Sequence, residues 1–313
     1  MPGYRFLDPA AVGRVKNLPL VARKVVQGFI SGLHRSPYKG FSVEFAEHRE
    51  YVPGDNLRHL DWKVLGRTDR LYVKLYEEET NMRVQLILDA SSSMNFSSEG
   101  HLPKCEYGAF LCGTLAYLAA RQQDAVGLTI FSDAVDLHMP ARSGPRHVGE
   151  LLRQLERFCR RDQLPVDGQP KGTRIADTLH KLAFRLRRRC LVVLVSDLID
   201  DEGDEAVIRA LYHFRHRQHE TIVFHTLDPA EIELPFDEMT VFVDMETQER
   251  LQADPSYLRP YYVEAVEQFL AYHRSKAREL GADYVLARTD TPFDVLLARY
   301  LRSRRDAALR GRK

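Results

Sequence analysis

Between residues 84 and 287, short apolar runs rich in β-branched residues alternate with longer stretches of helical periodicity. That alternation limits the fold more than any other feature of the chain. Repeated strand–helix–strand crossovers build a parallel sheet covered on both faces, and its strands read as continuous apolar runs because neither face meets water. The runs are Val84–Leu88, Val126–Phe131, Leu191–Val195, Thr221–Phe224 and Tyr284–Leu286. Helical patterns fill roughly 103–121, 145–160, 174–188, 204–217 and 257–280, lengths suited to crossover helices. Around Ser132 and Asp133, Phe131–Met139 alternates as a tight hairpin does, which predicts one antiparallel edge strand. A second hairpin is predicted around Thr240–Leu251. The expected class is α/β, a mostly parallel Rossmann-like sheet with helices on both faces.

The first 80 residues break this rhythm. Leu18, Val21, Val25, Phe29 and Leu33 recur at helical spacing, and Phe41, Val43 and Phe45 alternate with polar neighbours as in a half-buried strand. Between them and Leu71–Leu75 lies the charged, turn-rich segment Glu47–Arg70. Residues 1–80 are expected to form an accessory region packed on a main domain over 81–305, with a basic tail at 306–313.

At 313 residues and 44% hydrophobic composition the chain can bury one large core. Its 45 Lys and Arg against 44 Asp and Glu give no global field, and the basic stretches lack interleaved aromatics, so nucleic acid is not an expected partner. The basic end, from Arg299 through Arg310 to Lys313, reads as a frayed, solvated terminal helix. Cys105, Cys112, Cys159 and Cys190 show neither C-x-x-C pairing nor zinc spacing, which predicts reduced, mostly buried thiols. No cleavable leader pattern opens the chain and no apolar run is long enough to span a bilayer, so the expected location is cytoplasmic, with peripheral membrane association left open.

The chemistry-bearing signal is Asp89-Ala90-Ser91-Ser92-Ser93-Met94, directly after the run Val84–Leu88. A carboxylate and two hydroxyls at i, i+2 and i+4 converge if the chain curls at a strand's carboxyl end, where open α/β sheets bind ligands. Thr173 opens a later helix and Asp197 ends the run Leu191–Val195, so five oxygen side chains, from Asp89, Ser91, Ser93, Thr173 and Asp197, are expected at one edge. Oxygen donors with few carboxylates suit a hard divalent cation, Mg²⁺ first, then Mn²⁺ or Ca²⁺. Taken singly, each residue has a plainer role as a helix cap or turn former. Asn95, Phe96, Arg142 and Arg174 are the expected rim for a partner.

The D-x-S-x-S run with the later Thr173 and Asp197 resembles the metal-ion-dependent adhesion site of von Willebrand factor A domains. The resemblance implies that fold and implies that these five residues hold the cation directly or through water. A second, longer resemblance rests on Arg49-x-Tyr51-x-Pro53-Gly54-Asp55, Arg58 and Asp61-Trp62-Lys63, with Asp228-Pro229-Ala230-Glu231 and Asp244-Met245-Glu246-Thr247 further on. These motifs are similar to the bacterial family of unknown function numbered fifty-eight. That likeness implies work with a MoxR-type AAA+ ATPase on a client protein. Read physically, the alternating charges of Arg49, Asp55, Arg58, Asp61 and Arg67 around Trp62 suit an internal ion-pair network that clamps a loop. A direct partner surface is the other reading of the same residues.

Two rivals accompany the metal-dependent adaptor. A metal-dependent hydrolase would need a general base, and the nearest histidine, His101, has no obvious orienting carboxylate in sequence; no nucleophile elbow, H-E-x-x-H pair or phosphate loop is present. A structural scaffold with a non-functional metal site is the third class.

Overall fold

The computed structural model describes residues 45–50, 64, 66–67, 70–76, 82–159, 175–186 and 188–310. The helix expected over Leu18–Leu33 and most of the charged segment around Trp62 lie outside these residues. Contacts divide the chain into two units, the first and smaller of them residues 35–82. In the first, β1 (Phe45–Glu50) pairs antiparallel with β2 (Tyr72–Tyr76), running from Glu47 opposite Leu75 to Glu50 opposite Tyr72. Glu47–Glu50, expected in a turn-rich segment, are therefore strand, because cross-strand pairing outweighs the weak β-propensity of charged residues.

The second unit is built on six strands, β3 (Arg83–Asp89), β4 (Ala125–Phe131), β5 (Val135–Arg142), β6 (Leu191–Ser196), β7 (Glu220–Leu227) and, after a separate hairpin of β8 (Thr240–Val243) and β9 (Arg250–Ala253), β10 (Asp283–Arg288). Their order is β10-β7-β6-β3-β4-β5, parallel throughout except for β5, which runs antiparallel to β4. Counted along the chain within this sheet, that is 3-2-1-4-5-6, the doubly wound order. Helices α1 (Lys104–Arg121), α2 (Pro145–Cys159), α3 (Ile175–Arg185), α4 (Asp204–His216), α5 (Pro229–Glu233), α6 (Pro255–Glu279) and α7 (Phe293–Arg310) follow in chain order. The expected α/β class, the five sheet strands and both hairpins are found.

Period-two alternation sends neighbouring strand residues into different cores. Leu86, Leu88, Val193 and Phe224 pack under α1, α2 and α7, whereas Ile87, Val192, Leu194 and Val223 pack under α3 and α4. Each such apolar side chain, fully buried, contributes about 1.5–3 kcal/mol. On α1, a Cβ at Gly108 would stand 2.8 Å from Leu88 Cδ1 and 2.9 Å from Val195 Cγ1. The bare backbone lets α1 lie directly across β3 and β6, the two strands whose ends carry the candidate site.

The basic end corrects one expectation. Its helix is docked: Phe293, Leu296, Leu297 and Tyr300 of α7 are buried in the first core, and Arg304 bonds Glu220 and the Tyr300 hydroxyl. An apolar face at the helix start, ahead of the arginines, anchors what the charge pattern alone presented as solvated. All four cysteines are free thiols. Among the described residues, no helix is long and apolar enough to cross a membrane.

Candidate metal centre

The chain leaves β3 toward β4 and leaves β6 toward β7, in opposite directions across the sheet. A crevice opens at such a switch point, outside the carboxyl ends of the two strands. Leu88 pairs with Val195, so the next residues, Asp89 and Ser196, meet at the lip: the Ser196 hydroxyl donates to Asp89 Oδ2 at 2.6 Å. Asp197 follows Ser196 directly and is fully buried, as is Asp89.

One side of the crevice is made of hydroxyls. The Ser91 amide donates to Asp89 Oδ1 at 2.9 Å, curling the chain so that Ser91 Oγ lies 3.1 Å from Ser93 Oγ. A single 3-10 turn, Ser93–Asn95, follows, with the Met94 side chain wholly buried as its anchor. The plainer capping role does not account for these serines. No side chain caps the turn, and the residue at the N-cap of α1 is Pro103. On the other strand, the Leu198 amide donates to Ser196 Oγ and the Ile199 amide to Asp197 Oδ1 at 3.3 Å. Leu198 is held at φ 59°, a left-handed conformation that costs a non-glycine residue about 1–3 kcal/mol.

The other side is ionic. Lys104, at the start of α1 and with no exposed side-chain surface, donates to Asp197 Oδ2 at 2.8 Å and to Glu231 Oε1 at 2.6 Å. Glu231 belongs to α5, where Asp228 and Glu231 form a reciprocal capping box: Asp228 accepts from the Ala230 amide and Glu231 from the Asp228 amide. The buried Asp228 carboxylate also accepts from the Ser98 amide at 3.2 Å, the Ser98 hydroxyl at 2.6 Å and the Thr289 hydroxyl at 3.0 Å. The turn after the serine motif is thereby tied to the ends of β7 and β10. Ser98 Oγ also contacts His101 Nδ1 at 2.9 Å. The sequence of contacts is Asp–Ser–His rather than Asp–His–Ser. With its proton directed at Asp228, Ser98 ties this turn to the end of β7.

The electrostatics follow from burial. Loss of solvent and the neighbouring Asp197 charge push the Asp89 carboxyl up to about 7. Burial opposes the Lys104 charge, but Asp197 and Glu231 outweigh it and hold the ammonium above its ordinary value. Burial raises Glu231 by more than Lys104 lowers it. His225, opposite Ser196 on β7, is driven down to about 3 by burial and by His273, so its neutral ring brings no compensating charge. Among the described residues, then, Asp197 and Glu231 share one cation, Lys104, while Asp89 and Asp228 are held by hydroxyl and amide donors.

This donor set fits a hard divalent cation. Asp89 lies in no ion pair among the described residues, and two hydroxyls converge beside it. Such oxygens suit Mg²⁺; the set relies on hydroxyls, since among the described residues no group of three or more His, Cys, Asp or Glu is placed to hold a metal ion of any kind. Asp89, Ser91, Ser93 and Asp197 thus gather at one sheet edge; Thr173 and Arg174 lie outside the described residues. The following Ile175 opens α3, where the Ala176 amide donates to Asp200 Oδ2 at 2.9 Å, just beyond Asp197. Of the expected rim, Asn95 is exposed and Phe96 half-buried beside the serine motif.

Arg142 is misplaced in the sequence reading. It pairs with Val126 at the start of β4, while Asp89 pairs with Phe131 at its end. At about 3.3 Å per residue that sets Arg142 roughly 16 Å away along the strand, because the antiparallel β5 carries its end to the opposite edge. Sequence reasoning also missed Lys104 and left Ser196 and the Asp228–Glu231 turn without roles. One local signal for Lys104 existed: a lysine at the first position of a helix opposes the helix dipole and calls for an anionic neighbour.

The strand order defines a doubly wound, mostly parallel α/β domain with one antiparallel edge strand, the architecture expected from the sequence. The family described as protein of unknown function DUF58 matches residues 47–270, and the chain belongs to that family. It is 27% identical over 308 residues to the uncharacterized protein Mb1516 of Mycobacterium bovis, spanning 97% of this chain and 93% of that one. Among solved structures it is similar to BatB of Bacteroides thetaiotaomicron, at 15% identity and a TM-score of 0.45, covering 72% of this chain and 99% of the other. It is also similar to the SpRpn10 VWA domain, at 11% identity and a TM-score of 0.36, covering 70% and 95%.

Proposed function

We propose that this chain is an adaptor whose β3–β6 crevice holds a divalent cation, Mg²⁺ first among the candidates, and docks an acidic residue of a partner protein upon it. The observation that carries the reading is the convergence of the Asp89 and Asp197 carboxylates with the Ser91 and Ser93 hydroxyls at the switch point. A bound cation supplies a coordination position open to one more anionic oxygen. The chain's own residues do the remainder: Asp89 and Asp197 provide charge, the serines provide neutral donors, and Thr173 completes the set. Neutral donors leave the cation's charge only partly offset, which favours a carboxylate from outside. Asn95, Phe96 and Arg174 form the rim in this proposal.

The partner follows from family resemblance: a MoxR-type AAA+ ATPase, acting with this adaptor to assemble or remodel an unidentified client protein in the cytoplasm. The role is binding rather than catalysis, in keeping with a Ser98 hydroxyl committed to Asp228. The test is a pull-down from cell extract with wild type and Asp89→Ala, each in Mg²⁺ and in EDTA, with bound proteins identified by mass spectrometry. Retention of an ATPase only by metal-loaded wild type is the expected result. Retention indifferent to both metal and mutation would remove the crevice as the binding surface.

A further inference from the structure

We infer that Lys104 is a resident counter-ion for this crevice, a positioning residue that holds Asp197 in the absence of metal and sets how tightly a cation is held. The inference rests on the cation-site reading above and adds its regulation. Lys104 reaches Asp197 from the first turn of α1, across 93 positions of sequence, and lies wholly out of solvent with its ammonium 2.8 Å from Asp197 Oδ2. Asp197 Oδ1 is occupied by the Ile199 amide. Both oxygens of this carboxylate are therefore satisfied by the chain itself, one of them by a full positive charge.

A buried ammonium beside a cation-binding carboxylate has a definite electrostatic consequence. It neutralises Asp197, so the protein stays folded without metal, and it repels a divalent ion entering the same crevice. Glu231 moderates that repulsion. It shares the Lys104 ammonium at 2.6 Å and is itself held by the Asp228 amide in α5. The pull of Glu231 on Lys104 draws the ammonium's charge partly away from Asp197. Lys104 thus sits between two carboxylates, and the balance between them sets the charge that an incoming cation meets.

Two substitutions separate this from a merely structural role, because they carry opposite signs. Lys104→Met keeps length and bulk but removes the charge; Glu231→Gln keeps shape but leaves Lys104 bound to Asp197 alone. Mn²⁺ titration of the full-length chain, followed by electron paramagnetic resonance, reads affinity directly. Melting in Mg²⁺ against EDTA reads how far the metal stabilises each protein. Lys104→Met is expected to bind Mn²⁺ about tenfold or more tighter than wild type, the scale set by removing one charge from beside a divalent ion in a buried site. Its Mg²⁺-dependent rise in melting temperature is also expected to exceed that of wild type. Glu231→Gln is expected to bind more weakly.

If wild type binds Mn²⁺ and Lys104→Met binds equally or more weakly, the counter-ion role is overturned while the cation site stands. If neither binds, the cation reading itself fails and takes this inference with it. Should Lys104→Met not fold even in Mg²⁺, Glu231→Gln decides: weaker Mn²⁺ binding supports the role, and unchanged or tighter binding overturns it.

Discussion

The two sides of the crevice are made by different means. On the hydroxyl side, Asp89, Ser91 and Ser93 come from five consecutive residues, and one curl of the backbone after β3 brings them together. On the ionic side, Lys104, Asp197, Asp228 and Glu231 come from the start of α1, the end of β6, the end of β7 and α5, and Ser98 and Thr289 extend the same network. The first side is a local motif; the second exists only once the sheet has assembled. Charge follows the same division. Asp89 is buried with hydroxyl and amide partners alone, whereas Asp197 already has an ammonium. The side without a resident cation is where an external one has most to offset.

The largest effect that could break this contrast is a pH response belonging to Asp89. Its carboxyl is raised to about 7 in the folded chain and returns to the ordinary range near 4 on unfolding. Across that window the folded protein keeps a proton that the unfolded one releases, so metal-free stability should fall as pH rises from about 4 to about 7, by up to about 1.4 kcal/mol per unit. The slope difference between wild type and Asp89→Asn in urea titrations isolates this group. Mg²⁺ should flatten the wild-type slope by taking the place of the proton. Equal slopes for the two proteins would mean that Asp89 is compensated in the absence of metal, and the contrast between the two sides would disappear.

A smaller effect tests whether the sides are coupled. Asp228→Ala removes a buried acceptor of four hydrogen bonds, from the Ser98 amide and hydroxyl, the Ala230 amide and the Thr289 hydroxyl. Leaving those donors unpaired should cost about 3 kcal/mol in chemical denaturation. Since Ser98 lies five residues past Ser93, losing its tether should also loosen the hydroxyl side and weaken Mn²⁺ binding. A stability loss with Mn²⁺ affinity unchanged would show that the serine turn stands by itself, held by Met94 and the Asp89 bond.

The same division decides how much was legible in the sequence. Apolar runs revealed the sheet strands because burial on both faces is written into every residue of them, and D-x-S-x-S was legible because its residues are neighbours. The partners of Lys104 are 93 and 127 positions away, and no periodicity encodes such a pairing. Asp228-Pro229-Ala230-Glu231 stood out as a motif, yet its work as a capping box whose Glu231 pairs with Lys104 depends on where β7 ends relative to α1. The docking of α7 was hidden for a different reason: its arginines dominate the pattern, while Phe293, Leu296, Leu297 and Tyr300 that bury it precede or interleave them.

The smallest expected effect concerns Arg142, and it sharpens the contrast by lying outside both sides. A basic residue near a hairpin was a reasonable rim candidate until strand direction is considered: β5 runs back along β4, so the farther a residue lies past Val135, the farther it is from Asp89. Arg142 reaches the level of Val126, at the edge opposite the crevice. Arg142→Ala should therefore leave stability within about 0.5 kcal/mol of wild type, as surface substitutions usually do, and leave Mn²⁺ affinity and metal-dependent partner retention unchanged. Asn95→Ala, in the exposed turn beside Ser93, should lower retention in the same pull-down without changing Mn²⁺ affinity. If Arg142→Ala also abolished retention, the partner would have to contact both ends of the sheet, and the crevice alone would not account for binding.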